Sequence, residues 1–141
     1  MTIDSIQNGY VLDHIPAGLG VRIYKLLGLD KSQAQVALIQ NAKSSKMGKK
    51  DVLKISTDRF DLNLDVVAYL APHTTVNVIR NGAAAQKQVL HLPNKLVNIV
   101  HCPNPACISN HEQVEDVFTL VDADKGTYRC LYCETAAKFL Y

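Results

Sequence analysis

Four cysteines stand in two closely spaced pairs near the end of the sequence. Cys102 and Cys107 are separated by four residues, Cys130 and Cys133 by two, and 22 residues lie between the pairs. Thiolates in two such pairs are typical ligands of Zn²⁺, which structural sites hold at the centre of a tetrahedron. Because the four cysteines leave no coordination position for water or substrate, the spacing predicts one structural, non-catalytic zinc ion per chain.

Other interpretations of the cysteines stay open at this point. Disulfides belong to oxidising compartments, and the first residues show no basic start followed by an apolar run that would indicate a secretory signal. A redox motif at Cys130 and Cys133 needs a thioredoxin-like βαβ unit beside it. A [4Fe–4S] cluster also takes four cysteines. His101 and His111 flank the first pair and offer substitute ligands.

The charge changes sign at the first cysteine. Residues 1–101 carry 12 Lys/Arg and 7 Asp/Glu, whereas residues 102–141 carry 3 and 6. A basic first part suits an anionic ligand, and an acidic second part argues against nucleic-acid binding through the cysteine module. With 48% hydrophobic residues and no apolar run of roughly 18 residues, we expect a globular cytoplasmic protein that does not span a membrane.

The elements that must position any ligand site alternate between strand and helix patterns over the first 92 residues. We predict a strand at 9–15 and then a helix from Pro16 to about Leu27. Strands at 36–39 and 52–55 follow, joined by a polar loop at 42–50, and then a helix capped by Asp61 and ended by Pro72. The last elements are a strand at 74–80, a turn at Asn81–Gly82 and a strand near 86–92.

This order predicts an α+β fold in two domains. Residues 1–95 are expected to form a ferredoxin-like split βαβ sandwich, with helices on one sheet face and the other face free for a ligand or partner. Residues 96–141 are expected to form a small all-β zinc-binding domain. A segment of this size buries too little apolar surface to be stable alone, so the metal is expected to take the place of a larger core.

Five segments resemble the regulatory chain of aspartate carbamoyltransferase, and they occur in the family's order. They are residues 9–17, 47–55, 71–77, 102–109 and 130–134. The resemblance implies a non-catalytic subunit of pyrimidine biosynthesis, with an allosteric nucleotide-binding domain and a zinc domain that docks on the catalytic chain. It also implies regulatory-chain homodimers, inhibition by CTP or UTP and activation by ATP.

The resemblance also implies site residues. The expected contacts of the effector nucleotide are Val11, Asp13, His14, Lys50, Lys54, Asn77, Ile79 and Lys87. The expected contacts of the catalytic chain are Asn104, Tyr132 and Glu134. Lysine ammonium groups supply point charges for triphosphate oxygens.

Four positions depart from the family pattern. Gly82 replaces a tyrosine near the base, and Ala84 replaces a bulkier aliphatic residue, so the base preference is expected to differ. Ala106 replaces an asparagine and Leu131 a lysine, so the interface with the catalytic chain is expected to be more apolar.

Two other classes of protein fit the sequence less well. A zinc-ribbon nucleic-acid-binding protein needs aromatic residues on the sheet and basic residues on the zinc module, but only 6% of the residues are aromatic. An independent enzyme needs a nucleophile with a base or an open metal site. Asp13 beside His14 is a weak pair on a strand, and the sequence has no GxxxxGK[ST] loop.

Overall fold

The first part of the chain is built on a five-stranded antiparallel sheet with two α-helices. The structure is a computed structural model that describes residues 6–138. The chain divides into two units, residues 1–91 and 92–141. The roles predicted for residues 1–95 and 96–141 stay predictions.

The element order of the first unit confirms the ferredoxin-like prediction. The elements are β1 (Gly9–Pro16), α1 (Gly20–Leu26), β2 (Gln35–Ser44), β3 (Gly48–Ser56), α2 (Leu64–Leu70), β4 (Thr75–Arg80) and β5 (Ala83–Gln88). The strand order is β2-β3-β1-β4-β5, so that β1 lies at the centre and β5 is the additional edge strand.

Alternation along the strands separates the core from an open face. Leu12 on β1, Leu53 on β3 and Val76 on β4 are fully buried, and they share the core with Ile23 of α1 and Val67 of α2. Both helices therefore cover the same side of the sheet. Because successive strand residues point to opposite faces, the neighbours of these core residues face away from the helices.

Several predicted boundaries were wrong. Pro16 ends β1, and the helix begins only at Gly20. The predicted polar loop at 42–50 is mostly strand, because β2 and β3 continue as a hairpin to Ser44 and Gly48. The cap of α2 is Asn63, whose side chain accepts a hydrogen bond from the N–H of Asp65, and not Asp61.

A buried carboxylate holds three backbone segments together. Asp51 on β3 is fully buried, and its Oδ2 accepts hydrogen bonds of 3.0 Å from the N–H groups of Gly18 and Gly20. Its Oδ1 accepts one of 3.0 Å from Asn41, within the irregularity of β2 between Ile39 and Ala42. Asp51 thus fixes the start of α1 against the outer strands.

Residues just before β1 brace two distant loops. The carbonyl of Gln7 accepts a hydrogen bond from the N–H of Gly82, and the Asn8 side chain accepts one from the N–H of Asn81. The Asn8 carbonyl also accepts from the N–H of Thr57, just after β3. The turn between β4 and β5 and the connector after β3 therefore depend on the same two residues.

The second unit is small and its regular elements are short. A three-stranded antiparallel sheet is formed by β6 (Lys95–Val97), β7 (Val117–Asp122) and β8 (Thr127–Cys130). Leu96 on β6, Phe118 on β7 and Tyr128 on β8 are buried.

No helix among the described residues is both long and apolar enough to cross a membrane.

Replacing Asp51 by Ala is expected to destabilise the first unit strongly. Three N–H groups would lose their acceptor, and the buried one, at Gly20, would cost about 1 to 3 kcal/mol as an orphaned donor. Thermal unfolding followed by circular dichroism measures the loss. Asp30→Ala is the matched control, because Asp30 is exposed. An equal melting temperature for the two variants would contradict the bracing role of Asp51.

Candidate metal centre and ligand-binding face

The four cysteine sulfurs converge on one point. All four Sγ atoms lie within 4.8 Å of one another, with 3.6 Å between Cys102 and Cys133 and 3.7 Å between Cys107 and Cys130. Three of the cysteines are buried, and Cys133 is partly buried. Cys102 and Cys107 come from the segment before β7, whereas Cys130 ends β8 and Cys133 follows it.

This spacing fits a single tetrahedral metal ion. A zinc tetrahedron with Zn–S bonds of about 2.3 Å has S–S edges of about 3.8 Å. A disulfide requires about 2.05 Å, so no cysteine pair is bonded. A [4Fe–4S] cube places eight atoms between its cysteines, and sulfurs within 4.8 Å leave no room for it. The cluster is consistent with structural zinc.

Hydrogen-bond donors surround the sulfurs, as is usual around metal ligands. Ser109 donates its hydroxyl hydrogen to Sγ of Cys107 at 3.2 Å, and the hydroxyl of Thr135 lies 3.2 Å from Sγ of Cys133. The N–H groups of Tyr132 and Cys133 point at Sγ of Cys130. Sequence reasoning missed the two hydroxyls, although each follows its cysteine by two positions.

The pKa values of the cysteine thiols indicate that buried thiolates here need a bound cation. Burial raises the pKa of the Cys102 thiol to about 12. The hydrogen bond from Thr135 lowers the pKa of Cys133 to about 6. A thiolate as buried as Cys102 needs a neighbouring positive charge to persist at neutral pH, and a divalent metal ion supplies it.

The flanking histidines have other partners. Nδ1 of His101 lies 3.2 Å from Oδ2 of Asp116, and Nε2 of His111 lies 2.8 Å from the carbonyl oxygen of Pro105. Neither belongs to the sulfur cluster among the described residues.

The residues predicted to contact a nucleotide lie mainly in one row across the open face. Lys54 on β3 is paired with Val11 on β1, Val11 is paired with Asn77 on β4, and Asn77 is paired with Lys87 on β5. Directly paired residues point to the same face of a sheet. The register therefore brings two lysines and an amide to one surface.

A second group of these residues lies on one side of the row, further along the strands. Nζ of Lys50 is 2.9 Å from Oδ1 of Asp13, and Nδ1 of His14 is 3.2 Å from the hydroxyl oxygen of Thr75. Burial tends to raise the pKa of Asp13, but Lys50 and the N–H of His14 outweigh it, so the pKa lies below its usual value. Thr75 was not predicted.

The bulge in β1 explains how Asp13 and His14 share this corner. The register of β1 against β3 shifts between Leu12 and Ile15, and His14 has a φ of 59°. The pair therefore departs from the simple strand alternation that the sequence suggested.

On the other side of the row lies a shallow hollow of about 170 Å³. Its lining consists of Ile6, Val11, Lys54, Ile79 and Gly82. A side chain at Gly82 would approach Oε1 of Gln7 to about 3.1 Å. The absence of a side chain at this position therefore keeps the hollow open.

The three residues predicted at the interface with the catalytic chain lie in the cysteine loops. Oδ1 of Asn104 accepts a hydrogen bond from the N–H of Ala106, and the Tyr132 hydroxyl donates to the carbonyl of Glu115. Glu134 has a φ of 64°. Ile108, Leu131 and Tyr132 are exposed apolar or aromatic side chains nearby. Their contact with another chain stays a prediction.

The ferredoxin-like sheet and the four-cysteine cluster together define a two-domain protein with a structural metal site. Residues 1–91 match the model of the aspartate carbamoyltransferase regulatory chain, allosteric domain, and residues 94–139 match that of its metal binding domain. The chain belongs to the family of aspartate carbamoyltransferase regulatory chains, and it is a regulatory, non-catalytic chain.

Similar chains carry the same description over nearly their whole length. The regulatory chain of Clostridium botulinum strain Hall is 44% identical over 135 residues, which are 95% of this chain and 92% of that one. The regulatory chain of Clostridium acetobutylicum is 44% identical over 139 residues, 98% and 94% of the two chains. That of Bifidobacterium longum is 39% identical over 139 residues, 98% and 99%.

Replacing Cys133 by Ser is expected to abolish binding of zinc and to unfold the second unit, because the sulfur cluster takes the place of a larger core. The first unit, with its own core, should stay folded. Elemental analysis and circular dichroism of the purified full chain measure both effects. Ser109→Ala is the control, since it removes a donor to Cys107 but no ligand, and it should keep one zinc per chain. An intact zinc content in Cys133→Ser would contradict the assignment.

Proposed function

We propose that this chain binds nucleoside triphosphates on the open face of its five-stranded sheet and passes their effect to the catalytic chain of aspartate carbamoyltransferase. Residues 1–95 act as the nucleotide-binding domain. Residues 96–141 hold one structural zinc ion through the four cysteines and dock on the catalytic chain. The protein works in the cytoplasm as a regulatory-chain homodimer within the complex, in the control of pyrimidine biosynthesis.

The cross-strand row of Lys54, Val11, Asn77 and Lys87 is the observation that supports this proposal most directly. Three steps across a sheet at about 4.8 Å each place the two lysines roughly 14 Å apart at the backbone. Flexible lysine side chains can converge on phosphate oxygens from both sides of a ligand between them. Asn77 offers an amide between the two charges.

The hollow beside the row supports a position for the base. Val11 and Ile79 give it apolar walls, and Lys54 lies at its edge. The base lies in this hollow and the phosphates extend toward the lysines. Because Gly82 contributes no side chain, the hollow admits a purine as well as a pyrimidine.

The corner formed by Asp13, His14 and Lys50 supports recognition of the sugar and phosphates. The Asp13 carboxylate accepts from a ribose hydroxyl, and the Lys50 ammonium turns from Asp13 toward a phosphate. Asp13 stays ionised at neutral pH because its pKa is lowered.

Nucleic-acid binding is the weaker alternative. The side chains of the central row carry no aromatic ring on which a base could stack. Tyr10 is buried on the helix-covered side of the sheet. The acidic cysteine module also disfavours phosphate backbones.

Lys54→Ala and Lys87→Ala are each expected to weaken triphosphate binding by roughly tenfold or more. Each change removes a charge-assisted contact worth about 1.5 kcal/mol or more. Calorimetric titration of the full chain with CTP, UTP and ATP measures the loss. The matched control is Lys25→Ala, because Lys25 is exposed on α1. Unchanged affinity in both row variants would contradict the proposed site.

The effect of bound nucleotides on the catalytic chain is tested by the rate of carbamoyl transfer to aspartate. When the full chain is mixed with its catalytic chain, this rate is expected to depend on triphosphates. For that, a triphosphate must bind the two quaternary states of the complex with unequal free energies, which typically differ by about 1 to 3 kcal/mol. Lys54→Ala should associate but lose the response, whereas Cys133→Ser should not associate. The absence of a response from the full chain in a verified complex would contradict the proposal.

A further inference from the structure

A second cleft lies on the helix-covered side of the sheet. Its volume is about 310 Å³, and its floor includes Tyr10 and Ile55, which are 4% and 2% exposed. Tyr10 precedes Val11 on β1, and Ile55 follows Lys54 on β3. Since successive strand residues point to opposite faces, this cleft is separate from the proposed nucleotide site.

The walls of the cleft are two irregular segments. One lies around the short 3-10 turn at Leu29–Lys31 and contributes Leu27, Leu29, Ser32 and Ala34, and the other is the connector at 57–63 between β3 and α2. Past Ser32 and Arg59 the cleft continues into an adjoining hollow of about 540 Å³. These dimensions suit a small ligand.

Aromatic contacts hold the connector in place. The ring of Phe60 lies 5.7 Å from that of Tyr10, and the guanidinium carbon of Arg80 lies 3.9 Å from the centre of the Phe60 ring. The N–H of Thr57 donates to the carbonyl of Asn8. The cleft is thus formed before any ligand arrives, which lowers the entropic cost of binding.

Two opposite charges line this cleft without meeting. Arg59 and Asp61 are two residues apart, and within residues 6–138 neither side chain has a hydrogen-bond or ion-pair partner. They therefore do not form an ion pair with each other, which would require a separation of 4.0 Å or less. A gap between unpaired opposite charges suits a ligand that carries both charges itself.

Hydroxyl groups add donors to the same cleft. The Ser32 hydroxyl oxygen accepts from the N–H of Ala34 at 3.1 Å, and that of Thr57 accepts from the N–H of Arg59 at 3.0 Å. Both hydroxyl hydrogens stay available to a ligand. An anionic group at Arg59 can therefore receive additional hydrogen bonds.

We propose that this cleft binds an α-amino acid with an apolar side chain as its zwitterion. The carboxylate pairs with the guanidinium of Arg59, in the two-pronged geometry that arginine favours, and the ammonium group pairs with Asp61. The side chain packs on the apolar lining, which includes Leu27, Leu29 and Leu62.

The charges exclude simpler ligands. Asp61 repels a free phosphate, and so does Asp58 in the adjoining hollow. Arg59 repels a simple amine. A neutral apolar molecule would bury parts of both charges without pairing them, which is unfavourable. Because both charged side chains are exposed in the free protein, their pairs with the ligand are weak, and the expected dissociation constant is in the millimolar range, about −4 kcal/mol.

L-leucine is the probe, and amide chemical shifts of the full zinc-bound chain are the measurement. Saturable shifts are expected at the N–H groups of residues 32–34 and 57–63, with no saturable change on the open face near Val11. N-acetyl-L-leucine lacks the ammonium charge and L-leucinamide lacks the carboxylate. Each is expected to bind about two- to fivefold more weakly than L-leucine, as the loss of one exposed ion pair implies.

Matched variants separate the site from a general effect of charge. Arg59→Gln and Asp61→Asn should each weaken L-leucine binding about two- to fivefold, while Lys31→Gln and Asp30→Asn, which lie outside the lining, should not. All four variants keep the core unchanged and should fold.

Three outcomes would overturn the proposal. They are the absence of saturable shifts in the cleft, equal binding of the two blocked leucines, and unchanged binding in both Arg59→Gln and Asp61→Asn. None of them bears on triphosphate affinity, which is measured on the other face.

Discussion

The register of the central strand is the constraint on which the first domain depends. β1 pairs with β3 on one side and β4 on the other, and burial of Leu12 between them leaves Val11 outward. A slip of β1 by one residue would exchange these faces, so that Leu12 would point outward and Val11 toward the helices. Asp51 supports the same arrangement from β3, because it ties the start of α1 and the irregular part of β2 to one carboxylate.

Patterns with a local physical cause were predictable from the sequence. Alternation gave the strands, Asn81–Gly82 gave the turn between β4 and β5, and cysteine spacing gave the sulfur cluster. The start of α1 was not predictable in this way. Pro16 satisfies the rules for a first helical position, but it pairs with Lys50 in the sheet. The helix begins where the carboxylate of Asp51 accepts hydrogen bonds from the N–H groups of Gly18 and Gly20. That acceptor comes from a residue distant in sequence.

In the candidate sites, too, features that depend on long-range contacts were not predictable from local sequence patterns. A row that runs through Lys54, Val11 and Asn77 requires the registers of three strands, and the family resemblance supplied these residues where local patterns could not. The bulge that brings Asp13 and His14 to one corner contradicts the alternation that a sequence suggests. The second cleft had no sequence signal, because Arg59 and Asp61 belong to a connector whose course depends on the contact of Phe60 with Tyr10 and Arg80.

The hydrogen bonds of Gln7 and Asn8 link the surroundings of both proposed ligand sites. Their bonds to Asn81 and Gly82 support the edge of the open-face hollow, and the bond from Thr57 to Asn8 supports the connector that lines the cleft behind the sheet. Under the two proposals, a coupling between the two faces would act through these hydrogen bonds, and it would be equal in both directions. The dipeptide Gln7–Asn8 would then connect the two proposed ligand sites of the first domain.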